Sequence, residues 1–283
     1  MNKKMSAFNI LILSLGFVGL KRYLRSVERL DYDEYGWLVN EKIAHRGIHD
    51  NNGKNPENSL KAFELAIEKG WPIELDVGLT SDEKVVVIHD KKLVRLLGLN
   101  KDLRDITYDE LSKRKILKSD EIVPLLSDVL DLVNGKIPIL IEIKSDGKAG
   151  KLEELLLVQL KSYKGKYAIQ SFDPLSLKWF RDNSPEIVRG QLSGDFEIND
   201  YEKKYQGEPE LPLYQKLLLR NLLLNFMSRP NFIAYQISGT SFDFIRKIKR
   251  LGVPVLGWTV KDKIQYEKVK GLFDNIITDD TSF

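Results

Sequence analysis

Short apolar runs rich in β-branched residues alternate along the chain with stretches of amphipathic helical spacing such as Ser59–Lys69, Lys151–Lys161 and Phe242–Arg250. This alternation constrains the fold most, because strands separated by helices pair in parallel sheets. Eight runs over about 240 residues predict an α/β (β/α)₈ TIM barrel. The predicted strands are Ile43–His45, Ile73–Val77, Ile137–Ile143, Tyr167–Ser171, Ile187–Gln191, Phe232–Ile237, Pro254–Thr259 and Asn275–Thr278.

One further apolar run, Val85–His89, follows Val77 too closely for a parallel crossover. It therefore predicts a hairpin that returns across the mouth of the barrel. Residues 91–134 become a small helical insertion after the second strand, with short helices such as Tyr108–Arg114 and Leu126–Val133. The barrel as a whole is expected to occupy residues 40–283.

A second irregular region spans about residues 200–231 and contains the leucine-rich segment Leu213–Met227. On a helical wheel Lys216 and Arg220 share one stripe and leucines occupy most of the rest. Two interpretations stay open: a buried helix that flanks the barrel, or an element that contacts a membrane surface or binds lipid.

The N-terminal residues 1–29 carry six basic side chains and one acidic one, a net of +5, whereas the remainder is close to neutral. Met5–Leu20 is uncharged and mostly apolar. A helix of this length reaches about 24 Å, so flanking lysines would have to snorkel to span a bilayer. We expect an uncleaved membrane anchor or in-plane helix; a helix packed on the barrel and a cleaved signal peptide are the alternatives. The basic C-terminal flank favours a cytoplasmic catalytic domain.

The charge distribution also bears on partners. A nucleic-acid-binding domain carries a basic stripe on its folded surface, and here the surplus lies in one terminal segment, so no nucleic-acid partner is expected. The chain has no cysteine, which excludes disulfides, thiolate metal sites and a cysteine nucleophile.

Chemistry-bearing residues gather at predicted strand ends. His45 and His89 each end an apolar run, while His49 is expected to be a loop residue. Glu74 and Asp76 are two residues apart and share one face of a strand. Glu142 and Lys144 repeat this spacing. Converging carboxylates repel one another unless they bind a hard cation, and oxygen ligands favour Mg²⁺ or Ca²⁺. Two histidines across such a site suit a general acid and a general base.

The chain resembles the glycerophosphodiester phosphodiesterase family from about residue 41 to residue 283. The resemblance implies a (β/α)₈ barrel with an insertion after the His89 hairpin. It rests on these motifs: Ala44-His45-Arg46-Gly47, Pro56-Glu57-Asn58-Ser59 with Ala62-Phe63, Glu74-Leu75-Asp76-Val77, Thr80-x-Asp82, Val86-Val87-Ile88-His89-Asp90, Glu142-Ile143-Lys144, Gln170-Ser171-Phe172-Asp173, Gly257-Trp258-Thr259-Val260 and Ile276-Ile277-Thr278-Asp279.

The resemblance also implies roles for individual residues. Asp279 is expected to have a structural role at the end of the last strand. A departure is Arg95, which Leu96-Leu97-Gly98 follows where the family often has a Thr-Gly step. The implied site comprises His45 and His89 as the catalytic pair, Glu74, Asp76 and Glu142 as metal ligands, Arg46 and Lys144 as phosphate contacts, Glu57 as a further pocket residue, and Trp258 on the glycerol or headgroup side.

The expected activity is metal-dependent hydrolysis of a glycerophosphodiester to sn-glycerol 3-phosphate and an alcohol. The cofactor is one divalent cation, Mg²⁺ or Ca²⁺, and the partners are the small-molecule substrate and a membrane surface. One alternative is a lysophospholipase D-type reaction on membrane lysophospholipids. Another alternative is a membrane-tethered binding module without activity. The complete His/Glu/Asp/Glu set argues against this alternative.

Overall fold

Parallel strand pairing closes the sheet on itself. The protein is described from a computed structural model, which covers residues 19–30, 35–145, 147–207, 210–238 and 240–282. Within these residues the strands are β1 Ile43–Ala44, β2 Ile73–Leu79, β3 Val85–Val87, β4 Ile139–Ile143, β5 Tyr167–Ser171, β6 Arg189–Ser193, β7 Phe232–Gln236, β8 Val255–Val260 and β9 Asn275–Thr278.

The strand order is β1-β9-β8-β7-β6-β5-β4-β2, and β1 also pairs with β2, which completes the ring. Every pairing in this ring is parallel. β3 pairs antiparallel with β2, with Val77 opposite Val87. The predicted (β/α)₈ barrel and the predicted hairpin are therefore confirmed. The prediction ended β2 at Val77; it extends to Leu79 because its last residues pair with β3.

Helices alternate with the strands around the outside. The helix Leu60–Lys69 begins where the Ser59 hydroxyl accepts a hydrogen bond from the Ala62 N–H, and it ends at Gly70, whose φ of 69° suits glycine. The α-helices are Trp37–Asn40, Leu60–Lys69, Val94–Leu97, Tyr108–Leu111, Leu126–Val133, Lys151–Ser162, Pro174–Asn183, Leu213–Arg220, Asn225–Ser228, Phe242–Lys249 and Lys263–Val269, with a 3₁₀ turn at Leu103–Asp105 and a π-helical turn at Glu202–Gln206.

The two faces of each barrel strand bury different side chains. In β4, Ile139, Ile141 and Ile143 belong to the apolar layer between sheet and helices, whereas Leu140 packs inside the barrel with residues such as Leu256. The same alternation in β2 sends Glu74 and Asp76 to the interior. Inside the barrel, apolar side chains therefore form one layer, and charged side chains form a second layer next to it.

The segment between β3 and β4 has a small apolar core of its own, which includes Ile88, Leu96 and Val123. The helix Leu126–Val133, in contrast, packs with Phe63 in the large outer cluster. That helix is therefore part of the helical layer of the barrel.

The leucine-rich segment differs from the first of its two interpretations, a buried helix that flanks the barrel. It forms two helices, Leu213–Arg220 and Asn225–Ser228, which a turn separates, and the first of them has no buried residue. Leu213 and Leu217 are 71% and 51% exposed. The buried position is taken instead by Leu222 in the turn, which is 1% exposed.

Residues 1–18 lie outside the described residues, so most of the predicted membrane segment 5–20 is not described either. Among the residues that are described, no helix is both long enough and apolar enough to cross a membrane.

Candidate active site

Four strands of the barrel position the charged side chains of the site at one end of it. His45 follows β1, Lys144 follows β4 and Asp279 follows β9, while Glu74 and Asp76 lie within β2. Asp76 is the register partner of Glu142 on the neighbouring strand. Because the ring is parallel, all these positions lie at or near the carboxyl ends of the strands, where barrel enzymes place their active sites.

Glu74, Asp76 and Glu142 form a buried carboxylate cluster, with one oxygen of each lying within 4.8 Å of the others. Burial, together with the charges of Asp76 and Glu142, raises the pKa of Glu74 well above its usual range. Burial also disfavours ionised Asp76, but Lys144 and Arg46 outweigh it and lower the Asp76 pKa. The cluster thus places three carboxyl groups beside two cationic side chains, Arg46 and Lys144.

A divalent cation fits this cluster. Three carboxylates offer only oxygen ligands, which Mg²⁺ and Ca²⁺ prefer. A cation would also stabilise the ionised form of Glu74, whose pKa is raised by burial and by the charges of Asp76 and Glu142. Lys144 Nζ lies 3.1 Å from Asp76 Oδ1 and 2.6 Å from Glu142 Oε1, so it borders the same oxygens.

Arg46 joins the cluster to the loop that follows β1. Its backbone has a φ of 55°, and its N–H donates to Glu74 Oε2 at 3.1 Å. Its guanidinium lies 2.6 Å from Glu57 Oε1 and 3.4 Å from Asp76 Oδ2. The next residue, Gly47, has a φ of 81°, and a Cβ there would lie 3.0 Å from Ala62. The tight turn of this loop therefore needs glycine at this position.

Each of the two candidate catalytic histidines has a carboxylate on its Nδ1 atom. His45 Nδ1 lies 2.6 Å from Asp279 Oδ1, and His89 Nδ1 lies 2.8 Å from Asp90 Oδ1. This arrangement places the proton on Nδ1 of the neutral ring and leaves Nε2 as the reactive nitrogen. Asp279, for which the sequence predicted a structural role, is thus in contact with the His45 ring.

The two histidines differ in how tightly they hold a proton. Burial and the positive charge of Arg46 lower the pKa of His45, and Asp279 opposes this shift. Burial, Arg46 and Lys144 lower the pKa of His89 well below its usual range. His45 is therefore the more basic of the two rings.

Arg95 is one of the positive charges that lower the pKa of His89, after burial, Arg46 and Lys144. Its guanidinium donates to both oxygens of Asp90, at 2.6 and 2.8 Å, and to both oxygens of Glu57, at 2.7 Å. Burial opposes ionisation of Glu57, but Arg46 and Arg95 hold its pKa well below the usual range. The departure from the family pattern after Arg95 leaves its side chain within the site.

The structure brings together every predicted site residue except Trp258 in one charged network. Trp258 lies in an aromatic cluster, with its ring 5.4 Å from that of Phe172, which in turn lies 5.8 Å from that of Phe196. His49 is in a loop, as predicted, and its Nδ1 lies 3.1 Å from the His45 carbonyl oxygen.

Four polar residues of the network were not predicted. Asn58 donates to Asp76 Oδ2 at 2.8 Å, and Asn51 donates to Glu57 Oε2 at 2.6 Å. Asn58 and Asp90 lie next to the predicted residues Glu57 and His89 in the chain, and that adjacency is a signal that could have identified them. Asn51 lies in the loop after β1 and Arg95 in the short helix Val94–Leu97 of the insertion, and their positions follow only from the fold.

Comparison with known proteins agrees with this geometry. The model of the glycerophosphoryl diester phosphodiesterase family matches residues 45–282. The YhdW protein of Bacillus subtilis (strain 168) is 30% identical over 252 residues, which cover 85% of this chain and 95% of that protein. The glycerophosphodiester phosphodiesterase of Caldanaerobacter subterraneus subsp. tengcongensis is 32% identical over 255 residues, covering 84% and 93% of the two chains.

Among solved structures, a phosphodiesterase of Oleispira antarctica in complex with the product sn-glycerol-3-phosphate superposes with a TM-score of 0.69. The superposition covers 87% of this chain and 95% of that one at 21% identity, which shows a shared fold.

Proposed function

The chain belongs to the glycerophosphoryl diester phosphodiesterase family, and we propose that its carboxylate cluster and two histidine–carboxylate pairs carry out the hydrolysis of glycerophosphodiesters. The products are sn-glycerol 3-phosphate and an alcohol. The observation that carries the assignment of residues is the convergence of three buried carboxylates with two histidines, each of which has an aspartate on Nδ1.

Glu74, Asp76 and Glu142 would hold the divalent cation, Mg²⁺ or Ca²⁺. When bound, the cation neutralises a phosphoryl oxygen and orients the glycerol hydroxyls. Arg46 and Lys144 lie beside these carboxylates and supply positive charge to the remaining phosphoryl oxygens. Glu57 holds Arg46 in place, and Trp258 is proposed to line the glycerol or headgroup side.

The two histidines are proposed to divide the proton transfers. His89, with the lower pKa, takes the proton from the attacking hydroxyl or water, and His45, with the higher pKa, gives one to the departing alcohol. The P–O bond to the alcohol breaks as the new P–O bond forms. Attack by the neighbouring glycerol hydroxyl, followed by water opening a cyclic phosphate, needs the same two transfers as direct attack by water.

Leaving groups of different basicity test this assignment. Replacing either His45 or His89 with alanine should lower kcat on glycerophosphocholine by roughly 10²–10⁴-fold. On the glycerophosphodiester of p-nitrophenol, which leaves without protonation, His45→Ala should recover most of its activity and His89→Ala should not. The loop variant His49→Ala serves as the control.

Two results would count against the proposal. Recovery of His89→Ala instead of His45→Ala would reverse the roles of acid and base. Full activity of both variants on both substrates would rule out the two-histidine mechanism.

A second candidate substrate class is membrane lysophospholipids, from which a lysophospholipase D-type reaction would release lysophosphatidic acid. The exposure of Leu213, Tyr214 and Leu217 on one short helix favours it, because such a surface suits an acyl chain. Turnover of a lysophospholipid much faster than that of glycerophosphocholine would support this candidate.

We also propose that residues 1–29 hold the enzyme at a membrane, with the catalytic domain in the cytoplasm. The support is the uncharged segment 5–20 between basic residues, with the larger number of basic residues on its C-terminal side.

A further inference from the structure

A large open cavity lies at the end of the barrel opposite the site. Arg229 precedes β7 and Arg250 precedes β8, so both belong to the amino ends of the strands. The cavity has a volume of about 1140 Å³. The charged side chains that line it are Lys21, Arg22, Arg25, Arg29, Arg229 and Arg250, and we call it the basic cavity.

No carboxylate lines the basic cavity, and none of its six cations forms an ion pair with another described residue. Glu28, the acidic residue of this segment, points elsewhere: its carboxylate pairs with the fully buried Arg189 at the start of β6. Within the described part of the chain, the charge of the basic cavity is therefore left without a counter-charge.

The same glutamate fixes the segment to the barrel. The Glu28 N–H donates to the Pro230 carbonyl at 3.0 Å, and Asn231 Nδ2 donates to the Glu28 carbonyl at 3.1 Å. Arg25 Nε donates to the Asn221 carbonyl at 2.8 Å. These contacts hold the cations of residues 21–29 against Arg229 and Arg250 in a defined place.

Like charges held together in this way repel one another, and bound anions remove the repulsion. Burial without a nearby carboxylate lowers the pKa of Arg25, which reflects the same lack of counter-charge. Several arginines around one space suit phosphate groups, since the guanidinium donates two parallel hydrogen bonds to phosphate oxygens.

The neighbourhood of the basic cavity points to phosphate at a membrane surface. Gly19, which lines it, directly follows the uncharged sequence 5–18. Tyr23 also lines it, is 56% exposed and stacks on Phe226 with ring centroids 5.7 Å apart. Tyrosine is enriched where protein meets lipid headgroups. We propose that the basic cavity binds the phosphate headgroups of anionic phospholipids.

This proposal goes beyond the hydrolytic function and does not depend on it. It adds a contact that depends on lipid charge to the apolar contact expected from residues 5–20. Because the basic cavity and the carboxylate cluster lie at opposite ends of the barrel, headgroups bound in the basic cavity leave the mouth of the active site open.

Vesicle partition of the full chain tests the proposal. Wild-type protein should bind vesicles of phosphatidylcholine mixed with phosphatidylglycerol more tightly than pure phosphatidylcholine, and salt should weaken the difference. The variant R29Q/R229Q/R250Q should lose roughly tenfold or more of its partition into the anionic vesicles and none into the neutral ones. The charge-matched control K136Q/K161Q/K164Q, with exposed lysines elsewhere, should behave as wild type.

The proposal is wrong if wild-type protein shows no preference for anionic vesicles, or if the arginine variant and the lysine control lose the same amount. It is also wrong if inorganic phosphate raises the Tm of the wild type but not that of R29Q/R229Q/R250Q, while the two proteins bind vesicles equally. The basic cavity would then bind free phosphate. Thermal unfolding verifies that both variants fold, and partition into neutral vesicles separately reports the apolar segment.

Discussion

At the scale of single residues, the site depends on which charges are neutralised inside the protein and which are not. Arg95 donates to both oxygens of Asp90, the aspartate that lies on His89 Nδ1. Asp279 accepts from the His45 ring with no arginine bonded to it among the described residues. The pKa of His89 lies further below its usual range than that of His45, because burial and the charges of Arg46, Lys144 and Arg95 act on His89 together.

Replacing Asp279 with asparagine tests this explanation. Asp279 raises the pKa of His45 against burial, so Asp279→Asn should lower that pKa further. A general acid works only while protonated, and the alkaline fall of kcat/KM should therefore begin at lower pH in the variant. Profiles of kcat/KM against pH measure this, with Asp280→Asn as the control, since the Asp280 carboxylate accepts from the Ser282 N–H instead.

A uniform loss of activity at every pH, with the alkaline limb unmoved, would show that Asp279 only supports the local fold. A shift in the same direction for Asp280→Asn would show that the effect is a general one of surface charge.

The sequence alone was sufficient to predict the positions of those site residues that follow from the alternation of side chains along a strand. Glu74 and Asp76 share a face because alternation in a strand demands it, and the parallel register then brings Glu142 beside Asp76. Arg95 and Asn51 could not be placed in the same way, because a loop and a four-residue helix are too short or too irregular to show a period. Their contacts depend on how the insertion and the loop after β1 pack, which no local pattern encodes.

At the scale of elements, the leucine-rich segment shows how a helical pattern misleads. One interpretation of its leucines is a single buried helix, but the helix ends at Arg220 and the turn buries Leu222, while Leu217 stays half exposed. Leucine content alone does not say which face a helix buries, because burial depends on the partner surface.

Two matched leucine-to-alanine substitutions in this segment distinguish an exposed first helix from a buried one. Leu222→Ala should lower the free energy of unfolding by about 2–5 kcal/mol, since it removes a fully buried side chain. Leu217→Ala should change it by no more than about 0.5 kcal/mol. Urea unfolding at equilibrium measures both, and a cost for Leu217→Ala equal to that for Leu222→Ala would mean that the helix is buried after all.

At the scale of the whole molecule, the candidate active site and the proposed lipid-binding cavity lie at different ends of the strands. The carboxylate cluster lies at the carboxyl ends of the strands. Arg229 and Arg250 of the basic cavity and the ion pair between Glu28 and Arg189 lie at the amino ends. A parallel barrel makes this division natural, because all its strands point the same way. If the proposed lipid contact holds the enzyme at a membrane, soluble glycerophosphodiesters would reach the active site without passing that contact.

The most direct test of the central claim is release of sn-glycerol 3-phosphate from glycerophosphocholine by the purified full-length protein. Three conditions are compared: as purified, with EDTA, and with Mg²⁺ or Ca²⁺ restored after EDTA; lysophosphatidylcholine is the parallel substrate. We expect release from the soluble diester that EDTA abolishes and one of the two cations restores. Release that continues unchanged in EDTA, or no release with either cation present, would contradict the assignment of Glu74, Asp76 and Glu142 as a catalytic metal site.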